Sequence, residues 1–358
     1  MSRSKLKPSS EQTAVIGLHT PKIGSKTLFA LRSLYGSYEK AYQAYQMKKL
    51  SNLTDAQKIS LAEHQPLLPR IVQLIDQYDI KIVLYGDPDY PSLLSEMTDP
   101  PAVLYVRGSI GEHQRIAIVG SRRSTPYGLR AATDLASEAA KSGINVVSGL
   151  ALGIDAAAHK GALVAGGQTI GILACGVEQI YPASHRQLAL QTIKQGGALV
   201  SEFPLLTPPY RGNFLVRNRL IAAFTPLTVV IEAAPASGAL VTARLALDYN
   251  RDVWALPGDI YRESSIGPNQ LIASGATPFI GAGQLADYFN VESAPAIVHE
   301  VTPDDQLLLS AISKTGTHID DLAEALSLDI AATNSRVILL ELKGLVVDSG
   351  AGIFRRVI

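Results

Sequence analysis

Four short stretches of this sequence combine glycines, hydroxyls and arginines in patterns that hold anions. The first is Gly120-Ser121-Arg122-Arg123-Ser124-Thr125-Pro126, directly after the apolar run Arg115–Val119. Gly120 permits a sharp turn, Thr125 suits an N-cap and Pro126 the first helical position. Free N–H groups at such a helix start favour an anion, and Arg122 adds a bidentate phosphate fork. An ordinary capped turn with solvated arginines fits the same residues. The second stretch, Ser148-Gly149-Leu150-Ala151-Leu152-Gly153-Ile154-Asp155, allows close ligand approach at Gly149. Asp155 and His159 are four apart, on one helix face. They read as an acid/base pair or half a metal site, or, more simply, as an Asp155 that caps or begins the helix and a His159 that answers it within the fold.

The third stretch runs from Tyr210-Arg211-Gly212-Asn213-Phe214-Leu215 into Val216-Arg217-Asn218-Arg219. A helix is expected from Val216, which leaves Arg211, Asn213 and Phe214 in the loop before it. Arg217 and Arg219 then point to different sides, one toward a ligand and one bracing the scaffold with a carboxylate. A cation beside an exposed aromatic is what a single strand of nucleic acid requires: one neutralises phosphate, the other stacks a base. A core anchor is the alternative for Phe214. The fourth stretch, Glu232 to Ala243, places Ser237 and Gly238 at another helix start with Thr242 one turn on, a second candidate anion nest.

Several chemistries are excluded. There is no G-x-G-x-x-G with its acidic partner, no G-x-x-x-x-G-K-[ST] and no G-x-S-x-G elbow. Cys175, the single cysteine, follows a buried run and reads as a small core residue. One cysteine cannot form an intramolecular disulfide or a CxxC knuckle. No metal or cofactor is expected.

The elements that must position these turns are legible as βα repeats. The strand-like runs are Ile80–Tyr85, Val103–Val106, Arg115–Val119, Asn145–Ser148, Thr169–Ala174, Ala198–Ser201, Thr228–Glu232 and Val253–Leu256. Several are continuous Val/Ile/Leu runs, the mark of strands covered on both faces. Between them lie helical patterns at Tyr127–Lys141, Asp155–Val164, Arg186–Gln195, Val216–Phe224 and Leu240–Asn250. The expectation is an α/β fold with a Rossmann-like, doubly wound, mainly parallel sheet over 76–290. Ligands of such sheets sit beyond the carboxyl ends of the strands, where all four stretches fall.

Residues 1–75 carry helical patterns only, with Leu28, Leu31 and Leu34 spaced by three and a break at Tyr35-Gly36-Ser37-Tyr38. Pro21-Lys22-Ile23-Gly24 resembles the turn of a helix-hairpin-helix or SAM-like bundle. A linker from Ser293 to Pro303 precedes helical patterns at Asp304–Ser313, Thr317–Leu326 and Ala331–Lys343. Thr317 is a candidate N-cap. Leu345–Val347 and Ile353–Val357 flank a turn, Asp348 to Gly352, so 300–358 reads as a winged helix. Its third helix offers Arg336 and Lys343 for DNA, with Glu341 beside them.

The 358 residues have no net charge, but residues 291–358 hold 5 Lys+Arg against 10 Asp+Glu while the remainder is basic by the same margin. A protein that coats duplex DNA is not indicated; an anion site must be local. With 47% hydrophobic residues the chain supports a sizeable core. No apolar run approaches the roughly 18 residues of a membrane helix, and Met1–Gln12 lacks the apolar segment of a secretory signal. A cytoplasmic protein with no membrane partner is expected.

Taken in order, Gly120-Ser121-Arg122, Ser148 to Asp155 with His159, Arg217 to Ile221, Ser237 to Leu240 with Thr242-Ala243, Pro257-Gly258 and Gly267 to Ile272 with Gly275-Ala276 resemble the DNA-processing protein A (DprA/Smf) family across roughly residues 80–290. The flanking pieces resemble those of longer members. Leu215 departs from the pattern, which often has proline after the phenylalanine. The resemblance implies a non-enzymatic single-stranded DNA-binding protein that protects incoming strands in natural transformation and helps load the recombinase RecA. It also implies a homodimer through the Rossmann-like domain, and DNA contacts at Arg122, Arg211 and Phe214. Two rivals remain. One is a nucleoside-monophosphate phosphoribohydrolase of the LOG type, whose P-G-G-x-G-T turn and following glutamate are not reproduced at Ser237–Leu247. The other is a duplex-DNA regulator acting through the winged helix.

Overall fold

The computed structural model describes residues 8–281, 283–291, 302–313, 315–342, 345–350 and 352–356. Of the features expected from sequence, most of the linker after Ser293, Lys343, Ala351 and Val357 lie outside the described residues. The chain divides into two compact units, 1–292 and 293–358.

The first unit begins with α1 (Ser10–Leu18), α2 (Ser25–Tyr35), α3 (Tyr38–Gln46), α4 (Asp55–His64) and α5 (Leu68–Gln77). Their ends follow local chemistry. Ser9 and Thr54 close capping boxes with Gln12 and Gln57. Gly36 stops α2 in the left-handed region at φ 82°, and Ser37 at once caps α3. Leu28 and Leu31 are buried, whereas Leu34 faces solvent.

Next come β1 (Ile80–Leu84), α6 (Ser92–Ser95), β2 (Val103–Gly108), β3 (Arg115–Val119), α7 (Pro126–Lys141), β4 (Asn145–Ser148), α8 (Ile154–Val164), β5 (Thr169–Ile172), α9 (Arg186–Lys194) and β6 (Ala198–Ser201). Then follow α10 (Arg211–Ala223), β7 (Leu227–Val230), α11 (Gly238–Asp248), β8 (Asp252–Ala255), α12 (Glu263–Ala273), β9 (Thr277–Pro278) and α13 (Gln284–Phe289). The strands form one sheet in the order β1-β2-β6-β5-β4-β3-β7-β8-β9. Ladders from β6 through β9 are parallel, and β1–β2 and β2–β6 are antiparallel. The fold is therefore the doubly wound α/β sheet read from the sequence, with an antiparallel extension at one edge. The central strands are buried along their length, as their continuous apolar runs require.

Residues 1–75 do not stand apart from 76–290. Leu18, Leu28, Tyr38, Leu61 and Ile71 share one hydrophobic cluster with Tyr105, Leu150, Leu163 and Leu199. Gln12 also donates from Nε2 to the Ile82 carbonyl of β1 at 2.7 Å.

The helix α12 was not among the sequence-predicted elements, because Gly267 and Pro268 interrupt its pattern. Proline cannot donate to the carbonyl four residues back, that of Ser264. Here Ala233, just past β7, donates to the Ser264 carbonyl instead, at 2.8 Å, and Gly267 donates back to the Ala233 carbonyl at 3.0 Å. The helix is docked through the bond its proline leaves open.

The second unit comprises α14 (Pro303–Ala311), β10 (Thr317–His318), α15 (Ile319–Leu326), α16 (Ile330–Leu342), β11 (Val346–Asp348) and β12 (Ile353–Arg356), a winged helix. Its core holds Leu308, Leu322, Val337, Leu340 and Phe354. His318, not Thr317, caps α15: the helix starts at Ile319, and the His318 side chain accepts from the Asp320 amide. Arg336 lies 3.6 Å from Asp304, and α16 presents Ile338 and Leu339 to solvent. No helix among the described residues is long and apolar enough to cross a membrane.

Because the helical segment and the sheet share a core, Leu18→Ala is expected to lower the stability of the whole 1–292 unit by about 2–5 kcal/mol. Calorimetry should show one shifted transition for that unit. Early, separate loss of helical signal would show that the helices fold independently.

Candidate nucleic-acid interface

From β3 the chain winds outward through β4, β5 and β6, then returns to place β7 on the other side of β3. The turns that leave β3, β4 and β7 therefore meet at the carboxyl edge of the sheet, the switch point where such folds bind ligands.

The β3–α7 turn is built as its residues suggest. Thr125 caps α7 by accepting from the Gly128 amide at 3.1 Å, and Pro126 occupies the first turn. Gly120 is required because a Cβ there would lie 2.7 Å from Ile154. Ser121 is drawn inward: its hydroxyl accepts from the Arg123 amide at 3.0 Å and its carbonyl from Ile154 at 3.2 Å. Arg122 and Arg123 are left exposed.

Beneath this turn lies a buried cation. Arg217 donates to the Gly149 carbonyl at 2.7 Å and to the Ile172 carbonyl, and its Nε donates to Asn218 at 3.2 Å. Asp155 faces it electrostatically, and accepts from the Gly149 and Ala151 amides at 3.0 and 3.3 Å. Burial pulls Arg217 down to about 10, with Asp155 resisting, and lifts Asp155 above the usual carboxylate range, with Arg217 and the amides resisting. Gly149 needs to be glycine: a Cβ would sit 2.4 Å from the guanidinium. The expected pairing of Asp155 with His159 is not formed. His159 turns to the Thr169 hydroxyl at 2.5 Å, and burial holds it at about 3 and so neutral.

Arg217 and Arg219 do point to different sides, but both are braces. Arg219 is bound by Glu202 and, at 3.1 Å, by Asp99. These carboxylates raise the Arg219 pKa although desolvation opposes them, and burial raises that of Glu202. The fourth stretch is likewise internally satisfied. The Ser237 hydroxyl accepts from Ala239 at 3.2 Å. Thr242, buried, donates to the Gly238 carbonyl at 3.1 Å, and Asn218 donates to the same carbonyl at 3.2 Å.

Arg211, Asn213 and Phe214 are not in a loop: α10 begins at Arg211, so all three belong to its first turn, and Arg211 and Phe214 share a face. Phe214 is only half-buried and is no core anchor. The Arg122 guanidinium lies over its ring at 5.2 Å, and the Tyr181 ring packs on it at 5.5 Å. Tyr181 is 47% and Tyr210 64% exposed. Neither tyrosine was singled out from sequence. Tyr181 lies in an irregular connection between β5 and α9, where no periodicity betrays a contact with a residue thirty positions on.

The surface thus offers Arg122 with the rings of Phe214 and Tyr181, with exposed Arg123 next along the β3–α7 turn and exposed Tyr210 and Arg211 at the start of α10. Phosphate neutralisation beside sequence-tolerant stacking is what this set can do. Among the described residues there is no cluster of three metal-ligating side chains. Burial pushes the Cys175 thiol up to about 12, unsuited to a nucleophile.

A family model described as DNA recombination-mediator protein A matches residues 81–290, and one for the DprA winged helix domain matches 292–352. The chain belongs to the DprA family. Protein Smf of Synechocystis is 35% identical over 303 residues, 73% of this chain and 76% of that protein. Protein Smf of Escherichia coli is 37% identical over 279 residues, 74% of this chain and 75% of that protein. The structure of DprA from Streptococcus pneumoniae superposes with a TM-score of 0.58 at 27% identity, covering 79% of this chain and 98% of that one. A Helicobacter pylori DprA structure, described for its single-stranded DNA binding mode, superposes with a TM-score of 0.51 at 31% identity, covering 60% of this chain and 95% of that one. In this DprA-family chain the matched segment carries the whole Arg122–Phe214 surface.

Arg217→Met is expected to cost about 3–5 kcal/mol, since it strands a buried carboxylate and two carbonyls. Asp155 should then rise further. A carboxyl whose folded pKa is raised contributes stability at low pH that is lost as pH rises through that pKa. The deficit relative to wild type should therefore be smaller in mildly acidic than in mildly alkaline buffer. Denaturant titrations at both pH values test this, and a pH-independent deficit would contradict the electrostatic coupling of Asp155 to Arg217.

Proposed function

We propose that this protein binds single-stranded DNA in the cytoplasm, without a catalytic step, to protect strands entering by natural transformation and to help load RecA onto them. The observation that carries this reading is the Arg122 guanidinium 5.2 Å over the half-exposed Phe214 ring, with Tyr181 against the same ring. Residues from two connections and the first turn of α10 converge on one spot that is cationic and aromatic at once. An exposed cation–π contact is worth only about 0.5–1 kcal/mol, weak enough to yield to a base and its phosphate.

Within this reading Gly120, Ser121, Gly149, Ser237, Gly238 and Thr242 shape the turns, Arg217 and Arg219 brace them, and Arg122, Arg211, Asn213 and Phe214 meet the strand. The helix after Ser237-Gly238 carries no glutamate, which disfavours nucleotide hydrolysis; incubation with AMP should release no adenine. The acidic winged helix, with Arg336 beside Asp304 and apolar side chains exposed on α16, favours protein contact over duplex reading. Ile260, Tyr261 and Ile280 stand exposed in the carboxyl-terminal half of the Rossmann-like domain, consistent with a homodimer there. Light scattering checks the dimer, and RecA filament formation on protein-coated strands checks the loading.

Two substitutions separate charge from stacking. Arg122→Ala should weaken oligonucleotide binding by roughly 1.5–3 kcal/mol and flatten the salt dependence by about 0.7. Phe214→Ala should cost about 1–3 kcal/mol and leave the slope unchanged, because stacking releases no counterion. Equal affinities and slopes for both variants and the wild type would remove this surface from the strand's path.

A further inference from the structure

Three residues beyond Arg122, the same turn borders a second concavity. Thr125, Pro126 and Tyr127 form one wall of a cleft of about 500 Å3, and Gly258, Asp259 and Arg262 line the side that belongs to the connection after β8. That volume is typical of small-molecule sites. Tyr127 is 54% exposed yet not free to swing, because its hydroxyl donates to the Pro257 carbonyl at 3.0 Å. An aromatic face that is both accessible and fixed is a preformed stacking platform.

Glu232, 3% exposed, brings its carboxylate to the same cleft. One oxygen accepts from the Thr125 amide at 2.9 Å. The other accepts from the Thr125 hydroxyl at 2.5 Å and the Ser264 hydroxyl at 3.5 Å. An ionised carboxylate offers about four acceptor positions, so one is left for a donor from outside. Arg262 makes a loose surface pair with Asp259 at 3.6 Å, which leaves its fork within reach of an anion.

A flat ring to lie on Tyr127, one N–H donor for Glu232 and an anion for Arg262 describe a nucleotide. We infer that this cleft takes a nucleotide whose base carries an exocyclic amine, favouring cytosine, adenine and guanine over thymine, whose single N–H lies between two carbonyl oxygens that the carboxylate repels. Where the nucleotide is part of a bound strand, the inference rests on the single-strand reading above; a free nucleotide has the same chemistry.

The test compares oligo-dC with oligo-dT of equal length, and free dCMP, on the full chain. Cytosine and thymine are both single-ring bases; thymine has a carbonyl in place of the exocyclic amine, an N–H at the neighbouring ring nitrogen and a methyl group. Wild type should prefer oligo-dC. Tyr127→Ala should weaken oligo-dC roughly five-fold or more, the lower end for one stacked base, and remove the preference with little effect on oligo-dT. Tyr127→Phe keeps the ring but frees it from the Pro257 carbonyl, and should keep the preference while weakening oligo-dC less than Tyr127→Ala does. Binding of dCMP to wild type that is lost in Tyr127→Ala, with oligo-dC unaffected, would confirm the cleft and make a free nucleotide its occupant. The inference is overturned if Tyr127→Ala melts normally, binds both oligonucleotides as wild type does, and dCMP binds neither protein. Arg122→Ala, measured alongside, keeps the two ideas apart. If it alone weakens both oligonucleotides, the strand reading stands while the cleft falls. If wild type binds neither oligonucleotide, the strand reading falls and dCMP alone decides the cleft.

Discussion

One buried guanidinium fixes the geometry on which the rest of the site depends. Arg217 reaches from α10 under the sheet edge to the carbonyls of Gly149 and Ile172, with Asp155 opposite it. A charge out of water is tolerated only where its donors are matched, so the ends of β4 and β5 and the starts of α8 and α10 have one arrangement that satisfies it. Phe214 stands on the first turn of the helix whose register this cation sets. The placement of an exposed ring is thus decided by an interaction the ring never touches.

A second tie acts on the other partner of the surface. Glu232, at the end of β7, holds Thr125 by both amide and hydroxyl and reaches Ser264 of α12. Gly128 makes this possible: a Cβ there would lie 2.4 Å from the carboxylate. The turn bearing Arg122 is clamped to the neighbouring strand on one side, and stitched to α8 on the other through the Ser121 carbonyl. The site is two rigid supports, each presenting one exposed side chain to the other.

The sequence carried the sheet and most of its helices, because continuous apolar runs and capped turns are local signals. Thr125, Pro126 and Gly36 behave as their types require. The family resemblance implied DNA contacts at Arg122 and Phe214, and the two side chains meet here, whereas the residues alone left Phe214 open between stacking and packing. What it could not carry depends on distant partners. Arg217 and Arg219 read as one ligand residue and one brace, and both proved braces because carbonyls from β4 and β5 and carboxylates from elsewhere surround them. Tyr181 and the clamp at Glu232 have no periodic or motif signature. α12 was missed because Gly267-Pro268 is a breaker unless another chain segment occupies the carbonyl it frees, as Ala233 does here.

The cluster that joins the amino-terminal helices to the sheet has a consequence for synthesis. Leu18, Leu28 and Leu61 emerge from the ribosome well before Leu163 and Leu199, against whose cluster they pack. β2 can pair with β1 as soon as both are made, but its other edge must wait for β6. Domains made vectorially usually complete their first segment before the next appears. In this chain the opening segment cannot complete its own interior: β1 and β2 cover part of its apolar face, and the rest waits until Leu163 and Leu199 have been made.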